Sequence, residues 1–201
     1  MRSITVGITG ASGSIYAKRL IEYLSSRGHR VYLTITEAGR QVIEQELGWA
    51  LAGDAGVVEK SLKEHMGLDS HNCLRYFEVG NIGAAIASGT FPVDSMVVIP
   101  CSMATVSSIA HGASSNLLER AADVMLKEGK RLVLVPRETP LNPIHLRNML
   151  ALSEMGVRVV PAMPAFYNHP QKIEDLVDFL VGKVLDQLDI EHDLFTCWNG
   201  L

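Results

Sequence analysis

The stretch "PRETP" places Arg137 and Glu138 side by side, directly after the apolar run "RLVLVP". An arginine in that position can clamp a phosphate with two parallel N–H donors, and a carboxyl beside it can pass a proton. A surface ion pair would read the same way. Three other stretches carry polar groups straight after an apolar run. "GITGASG" spaces Gly7, Gly10 and Gly13 three apart with Ser12 ahead of the last, "PCSMAT" sets Ser102 and Thr105 before a helical pattern, and "PAMPAFYNHP" carries Tyr167 on a proline-stiffened loop. Glycines let a backbone approach an anionic or flat ligand, and they equally let a helix pack closely on a strand. Ser102 and Thr105 fit an anion-binding turn and an ordinary helix cap alike.

These groups need elements that bring them to one place. Short apolar runs recur at 4–9, 31–36, 74–79, 95–100, 131–136 and 157–162, most of them continuous rather than alternating, as strands covered on both faces would be. Helical patterns lie between them. Ile15, Leu20, Ile21 and Leu24 keep helical spacing ahead of Gly28; "SSNLLERAADVMLKEGKR" has serines to cap its start and Gly129 to end it; "QKIEDLVDFLVGKVLDQL" is long and amphipathic. The alternation predicts an α/β fold, a single-domain three-layer Rossmann-like sandwich over residues 1–201, doubly wound around a parallel sheet. In such a sheet ligands lie beyond the carboxyl ends of the strands, where all four polar stretches would fall. Residues 53–72 read as a surface helix with loose ends and no function.

On the helix near 115–129, Arg120 and Lys127 stand seven apart and share a face, which fits a solvated surface or a subunit boundary. Lys183 interrupts the apolar stripe of the last helix, as a snorkelling lysine would. The formal net charge is only -4, so a phosphate site must draw on local cations such as these, and nothing points to nucleic acid. The 3 cysteines, Cys73, Cys101 and Cys197, are too widely spaced for a disulfide framework or a CxxC pair, and the 7 histidines lack metalloprotease spacing. No metal is expected. The chain runs from Met1 and Arg2 straight into a strand-like run, and its longest apolar segment, around "SMVVIP", is too short to cross a bilayer, so a cytoplasmic location is expected.

The glycine loop invites comparison with a nicotinamide-dependent dehydrogenase, and two absences oppose it. None of the 5 tyrosines has a lysine four residues later to lower its phenol pKa. The second strand ends in Thr36, where an acid should hold the ribose; Glu37 comes one place late.

Taken together, "GITGASGSIYAKRL", "PCSMATVSSIAHGASSNLLERAADVMLKE", "RLVLVPRETPLNPIHLRNML" and "PAMPAFYNHPQKIEDLVDFLVGKVLDQLDI" resemble the flavin prenyltransferase family, UbiX/Pad1-type flavoproteins, over essentially the whole chain. The resemblance implies transfer of a dimethylallyl group from dimethylallyl phosphate to N5 and C6 of reduced FMN, without a metal, giving prenylated FMN for a UbiD-type decarboxylase. It implies FMN contacts from Gly10, Ala11, Ser12, Thr36, Ser102, Met103, Ala104, Thr105 and Arg137. It implies a prenyl-phosphate site of Lys127, Arg137, Tyr167 and Lys183, with Arg120 reaching across a subunit boundary and Trp198 folded over the site. Ser12 and Glu138 become candidates for protonating the phosphate, and Glu46 the acid-base group for the flavin ring. Thr36 stands where many relatives have serine, and Lys183 where arginine is frequent, which keeps charge and loses bidentate geometry. A homo-oligomer, a dodecamer with sites between subunits, is also implied. The competing family is the FMN-dependent decarboxylases of cysteine-containing substrates, which carry a "PAMN"-like motif where this chain reads "PAMP" at 161–164.

Overall fold

The computed structural model describes residues 1–68 and 74–196. Six strands, β1 Ser3–Ile8, β2 Arg30–Ile35, β3 Leu74–Glu78, β4 Ser95–Cys101, β5 Arg131–Pro136 and β6 Arg158–Val159, form one parallel sheet in the order β3-β2-β1-β4-β5-β6. The chain builds outward from β1, returns, and builds the other way from β4. The crevice between the carboxyl ends of β1 and β4 is therefore the switch point of the fold. Around the sheet lie α1 Ser14–Ser26, α2 Glu37–Leu47, α3 Ala55–His65, α4 Met103–Ala110, α5 Leu117–Lys127, α6 Pro143–Glu154 and α7 Ile173–Gln187.

The continuous apolar runs have a direct cause. Val97 and Ile99 of β4 belong to a core shared with α1 and α7, while Met96 and Val98 belong to a second core with α4 and α5. With helices on both faces, each successive side chain is buried, and all 7 residues of β4 are. Gly7 lies inside β1, and a Cβ there would stand 2.8 Å from Leu118 Cδ1. The first glycine of "GITGASG" thus serves the packing of α5 on the sheet. Arg19 of α1 grips Asp178 of α7 through two hydrogen bonds of 2.5 and 3.1 Å, tying the helix that follows the glycine loop to the helix that carries Lys183.

Two expectations need correction. The cap of α5 is Asn116, whose side chain accepts from the Glu119 N–H at 3.0 Å, rather than the serines before it; Ser115 instead donates its own N–H to the Glu119 carboxylate at 2.9 Å. Gly129 does end that helix, with φ at 61°. The strand expected over 157–162 is reduced to the two residues of β6. Pro161 has no N–H to give the ladder, yet Val160 and Ala162 still donate to Leu134 and Pro136 at 2.8 and 2.9 Å, so the segment keeps running beside β5. The polar helix expected within 53–72 is α3, capped by Asp54, and its following residues 69–72 lie outside the described part. Among the described residues, no helix is long and apolar enough to cross a membrane.

Candidate active site

The site begins with Thr9, a buried residue at the end of β1. Its N–H and hydroxyl both donate to the Pro100 carbonyl, at 3.2 and 2.9 Å, and its Oγ1 accepts from the Ser102 N–H at 2.7 Å. One threonine thereby fastens the ends of β1 and β4 together, and sets Gly10, Ala11 and Ser12 against the turn Ser102–Thr105. A Cβ on Gly10 would lie 2.5 Å from the Ala38 Cβ, so α2 closes on the loop only because residue 10 is glycine. Gly13 is left-handed, with φ at 117°, which lets the chain turn into α1. Ala11 and Thr105 are buried, whereas Gly10, Ser12 and Ala104 are open to solvent.

Helix caps account for part of the polar chemistry. Thr36 accepts from the Gly39 N–H at 3.1 Å. Ser102 accepts from the Thr105 N–H at 3.3 Å and its hydroxyl meets that of Thr105 at 3.0 Å, while Met103 between them packs into the core. These oxygens start α2 and α4, and both helices thereby point free N–H groups and their positive ends at the crevice.

Glu46 is exposed on α2, yet it is not the idle charge that its sequence position suggests. From the last turn of α2 its carboxylate reaches the start of α1, where it accepts from Gly13 N–H at 3.1 Å and Ser14 N–H at 2.8 Å and from the Ser12 hydroxyl. Partial burial works against its ionisation, but the hydrogen bonds from Ser12, Ser14 and Gly13 outweigh it and hold the carboxyl below its usual value. The N-terminus of α1 thus carries a carboxylate from its own chain, and Ser12 is held on that carboxylate.

Arg137 arrives from the other side. Its N–H donates to the Cys101 carbonyl at 3.2 Å, which places it beside the Ser102 turn. Its Nε is buried and has no hydrogen-bond partner among the described residues. A buried guanidinium N–H with no acceptor costs free energy, so this one fits an anionic ligand. Glu138 beside it accepts from the Thr139 N–H at 2.9 Å, and the two residues line a cleft with Leu141, Met149, Pro161 and Met163. Such a donor set, helix starts and an unsatisfied arginine beside an apolar cleft, suits the phosphate and flat ring of FMN.

Pro161 also lines the neighbouring cleft that holds Lys183. There the Lys183 ammonium donates to Asp186 at 2.8 Å. Tyr167, half-exposed, sets its ring edge-on to Phe179 with centroids 5.8 Å apart. Two expected members stand apart. Lys127 precedes β5, whereas Arg137 follows it, so the strand of 6 residues separates them by roughly 20 Å at 3.3 Å per residue. Lys127 is exposed and lies 3.7 Å from Glu128, and Arg120 is exposed on α5. One chain alone does not bring Lys127 to the crevice. Trp198 lies outside the described residues.

Thr9, Asp186 and His192 stand in no motif of the sequence, although Asp186, three residues from Lys183 on one helix, is a usable signal. Cys101 is a free, buried thiol whose surroundings push its pKa up, so it is no nucleophile. Among the described residues, no group of three or more His, Cys, Asp and Glu could hold a metal ion.

Comparison with known proteins shows the family. Residues 1–185 match the Flavoprotein family model. Over 195 residues the chain is 54% identical to the flavin prenyltransferase UbiX of Halalkalibacterium halodurans, covering 97% of this chain and 92% of that one. The crystal structure of AnUbiX (PadA1) in complex with FMN and dimethylallyl pyrophosphate has a TM-score of 0.88 at 36% identity, covering 100% of this chain and 98% of that chain. A dodecameric FMN-dependent UbiX-like decarboxylase from Escherichia coli O157:H7 has a TM-score of 0.87 at 41% identity, covering 98% of this chain and 100% of that chain. With a parallel sheet that opens at the β1–β4 switch point, and with identity of this level over nearly its whole length, the chain belongs to the flavoprotein family and, within it, to the UbiX-type flavin prenyltransferases.

Proposed function

We propose that this chain moves the dimethylallyl group of dimethylallyl phosphate onto N5 and C6 of reduced FMN and releases prenylated FMN to a UbiD-type decarboxylase. The observation that carries the reading is the buried Arg137 Nε, without an acceptor among the described residues, beside the Ser102 turn, with the Ser12 loop and the helix start at Thr36 at neighbouring strand ends. When bound, reduced FMN supplies the nucleophilic ring atoms. The chain supplies the rest.

Gly10, Ala11, Ser12, Thr36 and the Ser102–Thr105 turn line the flavin, and Arg137 takes its phosphate end or the prenyl phosphate beside it. Departure of a monophosphate needs cations and donors at the leaving oxygens, which Arg137, Lys183 and Tyr167 provide from this chain. Lys127 comes from a neighbouring copy, because the length of β5 separates it from Arg137, and the exposed Arg120 on the same helix reaches across the same boundary. Ser12 and Glu138 hand the departing phosphate its proton. Glu46, held ionised, is suited to accept a proton from the ring and holds the Ser12 hydroxyl in place beside it. An assembly of twelve copies, working in the cytoplasm, would complete each site.

The test is anaerobic incubation with reduced FMN and dimethylallyl phosphate, with dimethylallyl pyrophosphate plus magnesium in a parallel arm, followed by mass spectrometry of the extracted flavin. A gain of one five-carbon unit from the monophosphate arm supports the reading. Gain from the pyrophosphate arm alone replaces the donor, and an unchanged flavin in both arms refutes the activity. A decarboxylase of cysteine-containing substrates is the rival flavoenzyme, and Pro164 stands where that family has its substrate-orienting asparagine.

A further inference from the structure

Beyond the groups named so far, the segment 190–196 after α7 is built onto the residues expected to grip the prenyl phosphate. Asp186 uses both carboxylate oxygens: Oδ2 accepts from Lys183 Nζ at 2.8 Å and Oδ1 pairs with His192 Nε2 at 3.1 Å. The His192 side chain is only 6% exposed, so this is a packed contact and not a chance surface pair. The Lys183 ammonium also lies 5.9 Å from the centroid of the Phe195 ring, within cation–π range. Phe195 in turn meets His192 at 4.9 Å and Phe179 at 5.1 Å, and Phe179 is the ring against which Tyr167 stands.

Gly182 makes this possible. A Cβ there would stand 2.7 Å from His192 Cε1 and 2.7 Å from Phe195 Cδ1, so the segment can lie flat on α7 only across a glycine. Lys183, next in the chain and still partly open to solvent, is thus flanked by an acid from its own helix and a ring from the segment. A free lysine loses much rotamer freedom when it binds an anion, and a lysine already held has less to lose. Asp186 takes one of its three N–H donors, leaving two for phosphate oxygens.

We propose that Asp186, His192 and Phe195 are positioning residues for the prenyl-phosphate site, which fix the Lys183 ammonium directly and the Tyr167 ring through Phe179. The proposal rests on the reading of Lys183 and Tyr167 as phosphate ligands. It makes the segment 190–196 part of the site rather than a tail.

The experiment is calorimetric titration of the full-length protein, loaded with oxidised FMN so that no transfer occurs, with dimethylallyl monophosphate. The variants are Asp186→Ala, Phe195→Leu and His192→Gln, with FMN affinity measured separately in each. Asp186→Ala and Phe195→Leu are expected to weaken monophosphate binding about fivefold, which is about 1 kcal/mol at 1.4 kcal/mol per tenfold, with FMN affinity unchanged. His192→Gln, which keeps a donor for Asp186, is expected to weaken it less. Monophosphate affinity within twofold of wild type in both of the first two variants overturns the proposal, as does a parallel loss of FMN affinity in both. If the wild type binds the monophosphate and yet fails to prenylate reduced FMN, the assigned activity falls and the positioning is still decided by the binding data.

Discussion

Removing the Glu46 carboxylate separates its two jobs. In Glu46→Ala the N–H groups of Gly13 and Ser14 lose an acceptor at 3.1 and 2.8 Å, and Ser12 loses the group that holds it. The arrangement is a helix cap supplied from another helix, and such caps contribute about 1–2 kcal/mol. Glu46 is exposed, so water partly replaces the lost bonds and salt weakens the charge component, which favours the lower half of that range. For a chain of 201 residues this corresponds to a fall in Tm of roughly 2–6 °C. The pH dependence has a definite sign. The folded-state pKa lies below the usual value of 4.5, so the stabilisation is complete above 4.5 and is lost as pH falls through the depressed value. Thermal melts of wild type and variant should therefore differ at pH 7 and converge in acid below pH 4.5. Equal melting temperatures at pH 7, or a gap that persists undiminished in strong acid, would refute the clamp. With Ser12 released and the base gone, prenylation is expected to fall by roughly a hundredfold while FMN remains bound.

Arg137→Ala is expected to leave the Tm of the ligand-free protein unchanged or slightly raised, because it deletes an unsatisfied buried donor, and to weaken FMN binding by roughly tenfold to a hundredfold in a fluorescence titration. Gly10→Ala drives a methyl against the Ala38 Cβ and main chain, and should cost about 1–3 kcal/mol in chemical denaturation together with a loss of FMN affinity. Lys127→Ala and Glu138→Gln should each abolish turnover alone, yet their co-expressed mixture should regain roughly a quarter of it, since sites form between copies. An inactive mixture of correctly assembled protein would place both residues in one chain's site.

The strands and most helices were legible because both faces of the sheet are covered, which leaves continuous apolar runs that alternate with helical spacing. "VRVVPA" has the pattern of a full strand, yet regular pairing covers only Arg158–Val159, although Val160 and Ala162 still donate to Leu134 and Pro136 of β5. The four polar stretches at strand ends were equally visible, since their place follows from the strand that precedes each. What linear spacing hides is contact between distant segments. Glu46 sits 33 residues from Gly13, and nothing around "QVIEQELG" marks it as the cap of another helix. Arg120 and Lys127 were recognised as sharing a face, but only the fold shows that Lys127 starts from the opposite end of β5 from Arg137. Lys183 read as a snorkelling charge, and its partner in Asp186 was close in sequence while the ring above it, Phe195, was not.

The flavin itself gives the most direct answer. After anaerobic incubation of the purified protein with reduced FMN and dimethylallyl phosphate, mass spectrometry of the extracted flavin should show FMN heavier by one five-carbon prenyl unit. Wild-type protein that binds FMN at the Arg137 crevice, but returns it at its original mass with every prenyl donor offered, would contradict the account.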